Sequence, residues 1–273
     1  MQLMAKEEKR QALVCFCVDG QSEKDALQNQ IEGLFDEVFG ENVEVRFRYA
    51  NFQGKNHGDI TTLKGVTPDN VEKNIYKYYF KQQDKKSDLG WRDLTYIVHI
   101  IDLDGAYAQK EDIKLFTEEE LLLANQLSIK GKEKNTLYFD DHIAVRNNEE
   151  AMAERNHRKR QIIEHLNSID EITIGKKTVK YCLYYFSSNL DHFLHGEANL
   201  KGSDKVKKAI EFKEKISNPD ELVKYFIKNE FCTVDDYNQS WKILRKGNAS
   251  LLRGSNLNIL LSKIAHSSIE DWM

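Results

Sequence analysis

Apolar residues fall into short, nearly continuous runs separated by longer stretches of helical period. The run around which the rest is arranged is YIVHIIDLDG, Tyr96 to Gly105. A Val/Ile-rich run of this length predicts a strand buried on both faces, as in a parallel sheet covered by helices. Gln11 to Val18 (QALVCFCV) and Val179 to Phe186 (VKYCLYYF) read the same way, while Val43 to Ala50 (VEVRFRYA) alternates as a half-exposed strand does. Between these runs the period lengthens. Ala26, Leu27, Ile31, Leu34, Phe35 and Val38 recur near 3.6, which predicts a helix from about Glu23 to Val38, with Ser22 and Asp25 as a capping box.

A polar, glycine-bearing loop (FQGKNHGDITTLKG) precedes a second helix start at Thr67-Pro68-Asp69, with Tyr76, Tyr79 and Phe80 on its inner side. Lys81 to Asp88 reads as a solvated linker. The first hundred residues therefore run strand, helix, strand, helix, strand.

After Gly105 the pattern weakens. Thr117-Glu-Glu-Glu120 is placed to cap a short helix through Ala124, Thr136 to Phe139 suits a short strand, and Gln126 to Asn135 suits a surface loop. A helix is expected from Asn148 to about Asn167 with Met152, Ile162, Ile163 and Leu166 inward. The remainder is mainly helical: Ser203 opens one helix, Asn218-Pro219-Asp220-Glu221 opens another, and Trp241 lies in a further one. The expected organisation is an α/β domain over residues 1–199, with an insertion near 106–147, and a C-terminal helical extension over 200–273.

Composition changes this picture little. The chain has 273 residues, of which 31% are charged and 40% apolar, so a large core is affordable. A net charge of −4 gives no global attraction to nucleic acid or anionic membrane, so such a partner needs a local basic patch or a bound metal. Cys15, Cys17, Cys182 and Cys232 form no C-x-x-C pair and read as buried free thiols of a cytosolic protein. No apolar run reaches membrane-spanning length, and MQLMAKEEKR lacks the apolar centre of a signal peptide. A cytoplasmic protein without membrane contact is the expectation.

The candidate chemistry lies where the strands end. Asp19 and Glu23 follow the first strand, Asp102 and Asp104 the central one, and Asp191 the last. In a parallel sheet these acids share the carboxyl edge, where open α/β sheets place their ligands. Read alone, Asp104-Gly105 is an ordinary turn. Five carboxylates at one edge instead make an oxygen-rich site suited to Mg²⁺ or Mn²⁺ and to phosphoryl chemistry. In a two-metal scheme one ion activates water and the other stabilises the leaving oxygen. Arg155, His157, Arg158, Lys159 and Arg160 form the densest basic run. It is either a solvated helix face or a phosphate-contacting surface. His192 and His195 flank Asp191 as candidate bases or phosphate ligands, or as residues that merely satisfy a helix start. Lys24 is either a phosphate contact or an exposed helical lysine.

V-D-G-Q-S-E-K after the first strand and D-L-D-G after the third resemble the two signatures of the Toprim (topoisomerase–primase) fold. The spacing is closest to nucleases of the OLD (overcoming lysogenisation defect) type and to small abortive-infection proteins of bacteria. The resemblance spans roughly residues 11 to 195. It implies a metal-dependent endonuclease of DNA or RNA, with Asp19, Glu23, Asp102 and Asp104 catalytic and metal-binding. S-S-N-L-D-H at Ser187 to His192 is similar to the motif after the family's last strand and implies Asp191 near a second ion. Lys24, Arg155, Arg158, Lys159, Arg160 and His192 are then the candidate nucleic-acid contacts. A separate ATPase partner, an antiphage role and a possible homo-oligomer follow from the same likeness; the chain itself carries no G-x-x-x-x-G-K-[ST] motif. The family's first acid is usually glutamate, whereas this chain has Asp19. That difference opens an alternative: a module that has kept the fold without turnover and recruits a partner ATPase or senses a phage product. A phosphotransferase of Rossmann-like topology is a third reading, against which the missing glycine-rich phosphate loop counts.

Overall fold

A computed structural model describes residues 12–50, 52, 58–81, 90–129, 133–232 and 234–273. Gln11 and most of the expected linker before the central strand lie outside these residues. The main sheet comprises β1 (Ala12–Val18), β2 (Val43–Tyr49), β3 (Tyr96–Asp102), β7 (Glu171–Ile174) and β8 (Lys177–Phe186) in the order β2-β1-β3-β8-β7. All neighbours are parallel except β7 and β8. The chain is thus α/β, with a mostly parallel sheet flanked by helices.

Strand alternation sorts the core into two layers. Ala12, Val14, Phe16 and Val18 face one side with Val98 and Phe186, and Leu13, Cys15 and Cys17 face the other with Ile97 and Leu183. Burial on both faces explains why β1 and β3 read as unbroken apolar runs. The first layer is covered by α1 (Gln21–Phe39) and by the C-terminal helices α6 (Gly202–Lys215), α7 (Pro219–Ile227) and α9 (Leu257–His266). Trp272 closes it, its ring 4.9 Å from Phe35 and 5.1 Å from Tyr96. The second layer is covered by α2 (Val71–Ile75), α4 (Glu149–Ser168) and α8 (Tyr237–Leu244). Tyr79 and Phe80 are buried there as expected, in a wider helical turn over Tyr76–Lys81.

Strands β4 (Ile113–Leu115), β5 (Thr136–Tyr138) and β6 (Ile143–Val145) form a separate small sheet in the order β4-β6-β5, backed by α3 (Glu118–Leu127). Thr117 and Glu120 cap α3 reciprocally as the sequence predicts. Asn218 likewise caps α7. Two expected starts shift. Gly20, not Ser22, precedes α1, and glycine has no side chain with which to cap it. Asn70 accepts from the Thr67 N–H, which holds residues 67–70 in a turn, so regular helix begins at Val71 rather than beside Pro68. The hairpin β7–β8 turns at Gly175, whose φ of 66° suits a residue without Cβ.

Candidate functional site

β1, β3 and β8 deliver their carboxyl ends side by side, with Asp102 in register with Phe186. Asp19 turns its Oδ2 to accept the Asp102 N–H at 3.0 Å, and Asp102 Oδ1 accepts the N–H of Leu190 at 3.0 Å. Leu190 opens α5 (Leu190–His195), so Asp102 ties the first, third and last strand ends together. The pairing continues into the D-L-D-G turn, where the Asp104 N–H donates to the Ser188 carbonyl at 2.8 Å. Asp104 has a φ of 47° and Gly105 one of 68°. A Cβ on Gly105 would come within 2.6 Å of Leu251 and 2.7 Å of Ile143, so both backbone sign and space require glycine. Glu23, in the first turn of α1, is 7% exposed. A Cβ at Gly20 would meet its Oε2 at 3.1 Å. That packing is why the V-D-G-Q-S-E order brings both acids to one edge.

The sequence does not foretell the cations. The inner stripe of α4 is apolar at Ile162, Ile163 and Leu166 and becomes polar at Asn156 and Lys159, both fully or almost fully buried. Lys159 is 0% exposed, and its ammonium has three acceptors: the Asp102 carbonyl at 2.6 Å, Asp59 at 2.7 Å and Asp104 at 3.0 Å. Arg155 adds a second cation to Asp104 at 3.1 Å. On the far side, Lys205 of α6 pairs with Asp191. Burial opposes the charge on Lys159, but Asp104 and Asp59 outweigh it and raise its proton affinity. Burial would likewise raise Asp104, yet Lys159 and Arg155 hold its carboxyl down at about 2.

Asp19, Glu23 and Asp102 are relieved only in part: Lys159 eases Asp19, and Lys205 eases Glu23 and Asp102, but burial and the neighbouring acids outweigh them. Among the described residues none of the three has an ion pair. Burial raises the proton affinity of Asp19, and Asp59 adds to the shift. Burial raises Glu23, with Asp191 contributing, and raises Asp102 strongly, with Glu23, Asp104 and Asp19 contributing. Asp19 Oδ1 is buried and accepts no hydrogen bond. An all-oxygen set with an orphaned carboxylate oxygen and only partly relieved like charge fits a hard divalent cation. As they stand, no three His, Cys, Asp or Glu side chains among the described residues are placed close enough together to hold an ion, so binding one would draw the carboxylates inward.

The structure therefore brings Asp19, Glu23, Asp102, Asp104 and Asp191 to one edge but divides them, the last two being held by amines. Lys159 is a correction to the basic-face reading: it points inward and is unavailable to a nucleic acid. Arg155 is half-buried on Asp104, whereas Arg158 is exposed and Arg160 half-buried. Lys24 lies with its amine 5.7 Å from the centre of the Tyr49 ring. His192 is 7% exposed and reaches Asp140 at 3.4 Å, while its Nδ1 has no partner. Asp59, Lys205 and Lys134 were not anticipated. Burial and Lys205 depress Lys134, which lies within electrostatic reach of Asp104 and Asp191. Only Asp59 left a local signal, the cap it forms by accepting from Thr61 N and Oγ1, and that signal says nothing of the site.

Comparison with family models, with characterised proteins and with solved structures found no match to this chain. No helix among the described residues is long and apolar enough to cross a membrane.

Proposed function

We propose that the chain is a Mg²⁺- or Mn²⁺-dependent phosphodiesterase of the Toprim nuclease type, acting on DNA or RNA. The observation that carries the reading is the trio Asp19, Glu23 and Asp102 crowded at the carboxyl edge, none with an ion pair of its own and each only partly eased by Lys159 or Lys205. These three would hold the ion, which would supply Lewis acidity toward a phosphodiester. The rest of the edge does the positioning. Lys159 and Arg155 fix Asp104, and Asp102 and Leu190 fix the start of α5 beside Asp191. Lys134 presents cationic charge to an entering phosphate, while Lys205 is held on Asp191. The Toprim likeness adds a bacterial antiphage role, with a separate ATPase as partner.

The test is cleavage of DNA and RNA by purified protein in Mg²⁺ or Mn²⁺, beside Asp102→Ala and Asp104→Ala. Equal cutting by all three proteins rules out this assignment. One observation favours a second reading, a non-cleaving module: Asp104 and Asp191 are already neutralised by Lys159, Arg155 and Lys205. Asp19→Glu separates the two, because a rise in cutting marks a catalytic site and indifference marks a module.

A further inference from the structure

We propose that the Lys159 ammonium stands where a second divalent ion would otherwise sit, so that this edge takes one ion per chain and not two. The inference rests on the metal-dependent reading above and specifies its cation count. Lys159 bridges carboxylates from two separate segments, Asp59 at 2.7 Å and Asp104 at 3.0 Å, and spends its remaining hydrogen on the Asp102 carbonyl at 2.6 Å. Bridging acids from different loops is the task a divalent ion performs in an oxygen-rich site. Here a covalently attached cation performs it.

The charge balance agrees. Asp59 and Asp104 are matched by Lys159 and Arg155, and Asp191 by Lys205. Among the described residues Asp19, Glu23 and Asp102 are the acids of this edge without an ion pair of their own, and one divalent ion offsets their three charges to about −1. A second ion beside Asp104 would meet two fixed cations at close range in a buried setting, where repulsion is screened little. The ammonium cannot swing aside cheaply. It sits mid-helix in α4, one turn from Asn156, whose Nδ2 donates to the Gly105 carbonyl at 3.1 Å, and beside fully buried Ile162 and Ile163.

The experiment counts Mn²⁺ bound to the full chain by calorimetry and by electron paramagnetic resonance of free Mn²⁺. The wild type is expected to bind one ion, Lys159→Arg one, and Lys159→Met two. Two ions in the wild type overturn the proposal and leave the metal-dependent reading intact. One ion in a folded Lys159→Met also overturns it, since a mere tether would leave the count unchanged. No ion in the wild type removes both readings together. Should Lys159→Met fail to fold, the wild type still decides: the Lys159 ammonium NMR resonance must persist in saturating Mg²⁺, and its loss overturns the proposal.

Discussion

Asp19 accepts the backbone N–H of Asp102 through Oδ2 at 3.0 Å, while its Oδ1 lies buried with no partner. One carboxylate thus both joins two strand ends and carries a charge that Lys159 relieves only in part. Asp19→Asn keeps an acceptor for the Asp102 N–H and removes the charge. In chelator at pH 7 it should be more stable than the wild type, by about 1 kcal/mol or more. Asp19→Ala should lose part or all of that gain, because an unpaired buried N–H costs about 1–3 kcal/mol. Urea denaturation of the three proteins checks the order, and an Asn variant weaker than the wild type contradicts it.

Metal should act on the same trio through Asp102. Burial and three neighbouring acids raise the Asp102 carboxyl well above its ordinary range. Its raised folded-state value means that the metal-free protein gains from this group fully at pH values below the unfolded carboxyl's. The gain is lost as pH rises through the folded value. Mg²⁺ should therefore stabilise more as pH rises across that window. At ten times its dissociation constant the gain is about 1.4 kcal/mol. Thermal melts with and without Mg²⁺ measure it, and Asp102→Asn should flatten both the metal response and its pH dependence.

What the sequence disclosed and concealed about this edge follows from range. Strand runs, helix periods and the caps at Thr117 and Asn218 are local, and they were legible. The acids of the edge were legible too, since each ends a strand or falls in the turn or helix start that follows one. The three-residue strands β4 and β6 were not, because a pattern so short carries no period. Strand β7 escaped although Ile172, Thr173, Ile174 and Gly175 spell a hairpin arm and its turn. The amines were hidden for a different reason. Lys159 falls three residues before Ile162 and four before Ile163, on the inward stripe of α4, so spacing placed it inside. Its partner Asp59 lies a hundred residues away, in a loop no local rule ties to that helix. Without a visible partner, a lysine among arginines reads as surface.

Lys159 and Asp104 also set the acid and alkaline margins. Asp104 is held down at about 2, so its contribution is present above the unfolded carboxyl value of 3.8 and is lost as pH falls through about 2. The Lys159 amine is raised, so its contribution is full below 10.5 and is lost only as pH climbs through the higher folded value. Between those limits, Lys159→Met leaves Asp59 and Asp104 short of a cation and should cost about 3–5 kcal/mol. Asp104→Asn should cost less, because Asp59 remains paired. Denaturant melts from pH 3 to pH 10 test this, and a Lys159→Met protein as stable as the wild type would show the ammonium to be dispensable.

The outward half of the basic run has a separate test. Arg158 is exposed, and Arg160 lines a cleft of about 260 Å³ beside Ala106, immediately after the D-L-D-G turn. Arg160 donates to His157 Nδ1 at 3.2 Å, so it stands on the outer side of α4 while Arg155 and Lys159 turn in. If a nucleic-acid backbone leaves the acidic edge along that cleft, the two outward arginines contact phosphate. Arg158→Ala with Arg160→Ala should then weaken binding of a labelled strand without regard to its sequence. The slope of log K against log salt should shrink by about 1.8 for a duplex and about 1.4 for a single strand, two contacts' worth. Fluorescence anisotropy from 50 to 200 mM salt reads both quantities, with stability checked in parallel because neither side chain supports the core. Unchanged affinity and slope would return this face to solvent and leave Lys24 and Lys134 as the phosphate contacts.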